Sequence, residues 1–217
     1  MLLTISDCAR FAKIAYDKAR EPYDPASRWG SLAGYREFCN YNVPAGRDQV
    51  VIRGWTSGSD TVLAVKGTTP TNRGDLASDG QLAIGLRPDQ YRPAVDVVAK
   101  ALVVAPGRVT ITGHSLGGNI AQHLTAGSNG RHRCVTFNAP GRGVSRSHAG
   151  DLPNALNIVD RWDVIRFGGG SHFGRTYKLR TMYAPAVSAH SMDRMVRNVE
   201  TDPIGPLAVG TAIARFG

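Results

Sequence analysis

The stretch that decides the reading is Val109-Thr110-Ile111-Thr112-Gly113-His114-Ser115-Leu116-Gly117-Gly118. Its first half is β-branched, and Leu116 opens an apolar row with Ile120 and Leu124 that Gly127 closes, so a short strand at 109–112 passes into a helix beginning near Leu116. Between them stands Gly-x-Ser-x-Gly, in the strand-to-helix context that this pattern requires. The flanking glycines permit a turn too tight for a Cβ. They project the Ser115 hydroxyl above a sheet at a helix N-terminus, where the dipole and N–H groups favour developing negative charge. The plain alternative is a glycine-rich turn with an incidental serine.

Working outward, Val50-Val51-Ile52 and Thr61-Val62-Leu63-Ala64-Val65 are β-rich runs. Thr56-Ser57-Gly58-Ser59-Asp60 between them reads as a five-residue hairpin turn. Cys134-Val135-Thr136-Phe137 and Leu156-Asn157-Ile158-Val159 are further short apolar runs, and Val95, Val98 and Leu102 recur at helical spacing in a helix over about 90–104. Before them, Ser6-Asp7 caps an amphipathic helix over 7–18, with Cys8, Phe11, Ala12 and Ala15 on its apolar face. Residues 21–48 show no steady period and read as an irregular connection. Strand, helix, strand, loop, strand predicts an α/β fold: a mostly parallel sheet with helices on both faces and reactive groups beyond the carboxyl ends of its strands.

The chain has 217 residues, enough for a single domain spanning 1–217 with a sizeable core. Hydrophobic residues make up 42% and charged residues 20%, with the 25 Gly and 12 Pro spread out, which excludes disordered, collagen-like and coiled-coil classes. Cys8, Cys39 and Cys134 lack the spacing of a zinc site or a disulfide framework and read as buried free thiols. Neither a cleavable leader nor an apolar segment of spanning length is visible. The expected location is therefore the cytoplasm, or the exterior by a leaderless route.

A serine hydroxyl becomes nucleophilic at neutral pH only when a base takes its proton and an acid holds that base in the right tautomer. Chain order in sheets of this kind is Ser, then acid, then His. Asp160 and Asp163 follow the apolar run at 156–159. Asp160 sits beside Arg161 and reads as a surface ion-pair residue, which favours Asp163 as the acid. Downstream only His172 and His190 remain. His190 precedes a helix anchored by Met192, Met195, Val196 and Val199 and is preferred; His172 lies in a glycine tract and reads otherwise as a loop residue at the site mouth. The oxyanion of acyl transfer needs waiting donors. The backbone N–H of Leu116 is one, and Thr68, at the end of the strand over 61–65, is the other unless it marks only an exposed Gly-Thr turn.

These residues resemble the class 3 lipase family, the triacylglycerol lipases of the fungal type and their bacterial relatives. The landmarks are Ala12-Lys13-Ile14-Ala15-Tyr16, Val65-Lys66-Gly67-Thr68, the 109–118 segment, Thr136-Phe137-Asn138-Ala139-Pro140-Gly141 and Asp163-Val164. The resemblance covers residues 8 to about 196 and implies an α/β-hydrolase fold. It places nucleophile, acid and base on Ser115, Asp163 and His190, the oxyanion hole on Thr68 with Leu116, and on Asp79, with Asp75 competing, the carboxylate that steadies the oxyanion hydroxyl. It implies no metal or organic cofactor, and a helical lid over 70–90, where Leu82, Ile84 and Leu86 face either lipid or the core. Lys66 stands where arginine is common, Arg166 where proline is usual, and acid and base lie only 27 residues apart, marking a compact member.

The implied activity is a serine carboxylester hydrolase, a lipase or esterase acting on lipid acyl esters through an acyl-serine. One alternative is a phospholipase A1 acting on anionic or membrane phospholipids, because the net charge of +9 attracts anionic surfaces. Solvated surface charge explains the same number. A second alternative is a hydrolase-fold binding module without activity. Nucleic acid is not an expected partner, since the arginines are scattered and accompany no aromatic-basic motif. The apolar tail over 204–213 either packs on the body or rests against a membrane or partner, and is too short to span.

Overall fold

The computed structural model describes residues 2–17, 24–45, 48–66, 92–105, 109–128, 131–141, 152–163 and 170–216. Helix α1 (Ile5–Asp17) begins two residues earlier than the sequence predicts. Thr4 caps it: the Asp7 N–H donates to Thr4 Oγ1 at 3.2 Å, and the Thr4 N–H donates to Asp7 Oδ2 at 3.1 Å. This reciprocal pairing satisfies donors that a helix start otherwise leaves open. Phe11, fully buried, packs its ring 5.0 Å from Tyr35 and 4.8 Å from Trp55, seating α1 on the sheet.

Seven strands follow: β1 (Arg36–Ala45), β2 (Asp48–Ser57), β3 (Asp60–Lys66), β4 (Val109–His114), β5 (Arg133–Phe137), β6 (Ala155–Asp160) and β7 (Arg175–Leu179). They lie side by side in chain order. β1, β2 and β3 pair antiparallel, and β3 to β7 are parallel throughout. The expected mostly parallel sheet is thus observed, flanked by α2 (Arg92–Val104) and α3 (Leu116–Gly127) on one face and by α1, α5 (Met192–Thr201) and α6 (Val209–Phe216) on the other, with a single turn α4 (Ala186–Ala189) between β7 and α5.

Alternation along the strands builds a core on each face. Val62, Ala64, Val135, Phe137, Leu156 and Ile158 join α1, α5 and α6. Leu63, Val65, Val109, Ile111, Cys134 and Ala155 join α2 and α3. All three cysteines are free and buried, as read from the sequence. Burial drives the Cys39 and Cys134 thiols up to about 12, so they stay protonated and act as small apolar side chains.

Two local readings are corrected, and a third, left open by the sequence, is resolved. Residues 36–45, read as irregular, form β1, an edge strand whose register slips between Glu37 and Cys39. Its polar residues and Pro44 suit a strand bonded on one side only. The hairpin loop is two residues, Gly58-Ser59, because Gly58 takes φ +57° and lets pairing run down to Ser57 opposite Asp60. The tail packs on the body: Val209, Ala212 and Ile213 are buried, and the Val209 N–H donates to Leu3 O at 2.9 Å.

Candidate active site

Parallel β3 to β7 present their carboxyl ends at one edge, and Ser115, Asp163 and His190 sit in the connections beyond those ends. Ser115 comes directly after β4, Asp163 after β6, and His190 after β7 by way of α4.

Ser115 stands between β4 and α3 at φ 54° and ψ −131°, a conformation that costs an L-residue about 1–3 kcal/mol. The strand and helix cross so closely that a Cβ on Gly113 would lie 2.6 Å from the Gly117 backbone. A glycine there is what lets the chain double back. The Ser115 N–H donates to Phe137 O at 3.0 Å, tying the turn to β5, and the side chain stays half-buried. Leu116 is buried at the first position of α3, where a backbone N–H has no partner within its helix.

His190 Nε2 lies 2.9 Å from Ser115 Oγ, and its Nδ1 lies 2.8 Å from Asp163 Oδ2. Asp163 accepts from Nδ1–H, which leaves the Nε2 lone pair facing the Ser115 hydroxyl. Asp163 is wholly buried and His190 nearly so. The three side chains favoured in the sequence are therefore together. The other late histidine is not among them: His172 Nε2 donates to Ala139 O at 2.8 Å, and its Nδ1 lies 3.0 Å from the Thr176 hydroxyl.

Asp160 is no surface residue, contrary to the sequence reading. It is fully buried and accepts from four donors: the Trp162 N–H at 3.0 Å, Thr181 Oγ1 at 2.9 Å, Arg194 Nε at 3.1 Å and Asn198 Nδ2 at 3.0 Å. Its cation comes from α5 and not from adjacent Arg161. This carboxylate clamps the loop on which Asp163 sits, and the Asp163 N–H donates back to Asp160 O at 3.1 Å.

His114, beside the nucleophile, donates from Nε2 to His190 O at 2.8 Å, with its ring 4.7 Å from the His190 ring. Burial pushes its pKa well below the usual imidazole value, reinforced by the nearby His190 and Lys13 and opposed by the bond to His190 O. Its ring props the backbone of His190.

Sequence reasoning missed Asn138. It is buried at the end of β5 with φ 45°. Its Nδ2 donates to Ala189 O at 2.9 Å, its Oδ1 accepts from the Asp160 N–H at 2.8 Å, and its own N–H donates to Ile158 O at 2.9 Å. One side chain thus bridges the acid loop and the residue before the base. The available signal was an amide at a strand end, a residue type that tolerates the left-handed region. Thr68, Asp75, Asp79 and the 70–90 segment lie outside the described residues.

The solved structures most informative for comparison are lipases. A triacylglycerol lipase whose catalytic centre is described as a serine protease triad shares 15% identity over 82% of this chain and 80% of its own, with a TM-score of 0.52. A fungal lipase–inhibitor complex shares 14% over 82% and 80%, with a TM-score of 0.52. The lipase of Rhizopus microsporus var. chinensis shares 13% over 84% and 78%, with a TM-score of 0.50. At such identities the likeness establishes the fold. No curated protein matches by sequence.

This fold, with an alcohol, an imidazole and a buried carboxylate in hydrogen-bonded series, defines a serine ester hydrolase on an α/β-hydrolase fold. A family model described as Tle-like phospholipase domain matches residues 47–155. The chain belongs to that phospholipase-like family.

Proposed function

We propose that the chain hydrolyses acyl esters of phospholipids, as a phospholipase of the A type, through an acyl-Ser115 intermediate. The observation that carries this reading is the unbroken contact from Asp163 Oδ2 through His190 to Ser115 Oγ, at 2.8 and 2.9 Å; the family description supplies the phospholipid.

Ser115 Oγ attacks the ester carbonyl carbon as its proton passes to His190 Nε2, and Asp163 stabilises the imidazolium that forms. The carbonyl oxygen becomes an oxyanion, held by the Leu116 N–H and by Thr68 at the exit of β3. The bond from carbon to glycerol oxygen then breaks, His190 returns the proton to that oxygen, and the lysophospholipid leaves. Water attacks the acyl-serine with His190 again as base, releasing the fatty acid and restoring Ser115.

An ester panel tests this, from short nitrophenyl esters through triacylglycerols to phosphatidylcholine and phosphatidylglycerol. Phospholipids give the highest kcat/KM, with fatty acid and lysophospholipid as products. Ser115→Ala lowers the rate about ten-thousand-fold or more, because triad members act as a unit. Triacylglycerol turnover exceeding that of phospholipid would move the assignment to a lipase, and undiminished hydrolysis by Ser115→Ala would end it.

A further inference from the structure

One exposed cluster is left unused by the hydrolytic machinery. Met182 and Tyr183, between β7 and α4, are 86% and 73% exposed. Large apolar side chains held open to water at adjacent positions mark contact surfaces when they extend into a patch. Here they do. The Tyr183 ring meets the Trp162 ring edge-on at 5.0 Å, and the Arg161 guanidinium lies 5.0 Å from the Trp162 ring centre. Arg161 and Arg180 are both exposed.

The backbone beneath this patch is fastened. Arg194 Nη2 donates to Met182 O at 2.8 Å, Trp162 Nε1 donates to Thr181 O at 3.4 Å, and Thr181 Oγ1 donates to buried Asp160. The side chains therefore point outward from a held frame. Among the described carboxylates of the surrounding elements, Asp160 and Asp163 are buried and hydrogen-bonded, Asp193 lies 3.2 Å from Lys13 Nζ, and Asp202, also buried, accepts from Tyr177 Oη and from the Arg180 backbone N–H rather than from its guanidinium.

We propose that Trp162, Met182 and Tyr183, rimmed by Arg161 and Arg180, form the surface by which the chain seats on an anionic phospholipid bilayer. The proposal rests on the phospholipid reading above and names where that substrate is met. Indole and phenol rings carry an apolar body and a polar tip and settle at the headgroup boundary. A methionine reaches into the acyl region, while guanidinium groups pair with phosphate and respond to the negative potential of an anionic leaflet. The net charge of +9 complements such a leaflet. Trp162 directly precedes Asp163, so seating turns the triad-bearing edge of the sheet toward lipid.

The test is vesicle co-sedimentation in the Ser115→Ala background, where the lipid is not consumed, using phosphatidylcholine with and without phosphatidylglycerol. The parent prefers the phosphatidylglycerol vesicles. Adding Met182→Ser and Tyr183→Ser weakens binding to both by about tenfold, and adding Arg161→Gln and Arg180→Gln weakens binding to the anionic vesicles by about thirtyfold and abolishes the preference. Val103→Ser, at a residue 85% exposed on α2, serves as the control and changes nothing. Thermal melting of each variant reports folding. Parental binding by the folded Met182→Ser/Tyr183→Ser variant overturns the proposal. So does a shift from dimer to monomer on sizing that accompanies the substitutions, which would assign the patch to a second copy. If the unsubstituted chain hydrolyses no ester while the vesicle results hold, the hydrolase reading falls and the docking surface stands.

Discussion

The side-chain amide of Asn138 donates to the carbonyl of Ala189 at 2.9 Å, one residue before the base. Its other end accepts from the Asp160 N–H at 2.8 Å, on the loop that carries the acid. Asp163 and His190 thus take their separation partly from a group that touches neither.

Asn138→Gly keeps the backbone content, because glycine accepts φ 45° without penalty, but removes both bonds. We expect kcat to fall about tenfold to a hundredfold with KM within about twofold, since a misplacement of about 1 Å carries a cost of that order. Asn138→Ala adds backbone strain and lowers the melting temperature as well. Steady-state kinetics on a soluble nitrophenyl ester, with melting curves alongside, separate the two effects. A Gly variant with parental kcat would show the bridge to be dispensable.

The two aspartates divide by role. Asp163→Asn leaves the fold nearly intact and drops kcat about ten-thousand-fold, because the imidazole loses the partner that fixes its tautomer. Asp160→Asn replaces an acceptor of four hydrogen bonds, one of them from Arg194, with an amide that repels some of those donors. Its expected signature is a stability loss of about 3 kcal/mol in urea titration, with a smaller effect on kcat. The reverse pattern would exchange the assignments.

Acid destabilises the fold from about pH 6.5 downward. Burial lowers the pKa of His114, His123 and His172, opposed at His172 by its bond to Ala139 O. Below the ordinary imidazole value of 6.5 the unfolded chain takes up protons that the native fold refuses. The unfolded state then binds more protons, so stability is complete above 6.5 and falls as pH drops toward the depressed native values. Urea midpoints between pH 8 and about pH 5 measure the slope. His123→Gln removes part of it, and a midpoint that rises on acidification would contradict the account.

The centre of the fold was legible because parallel strands buried on both faces read as short, mostly apolar runs, as at 61–65, 134–137 and 156–159. The edges were not. Among the described residues β1 and β7 are bonded on one side only, and both carry polar residues that break the apolar pattern of a buried strand. In the site, Ser115 announces itself through local geometry, and chain order narrows the partners to Asp163 and His190. Asp160 was misread because adjacency to Arg161 suggested a surface pair, whereas its cation, Arg194, arrives from another helix. The bridging role of Asn138 was hidden because its three bonds go to segments that only folding brings within reach.

The left-to-right sequence of the sheet carries an engineering consequence. Each reactive group hangs from a different rung of a ladder whose neighbours are also neighbours along the gene. Cassettes spliced in after successive rungs would remodel the mouth of the catalyst one wall at a time, while the backbone bonds that hold the rungs in register remain untouched.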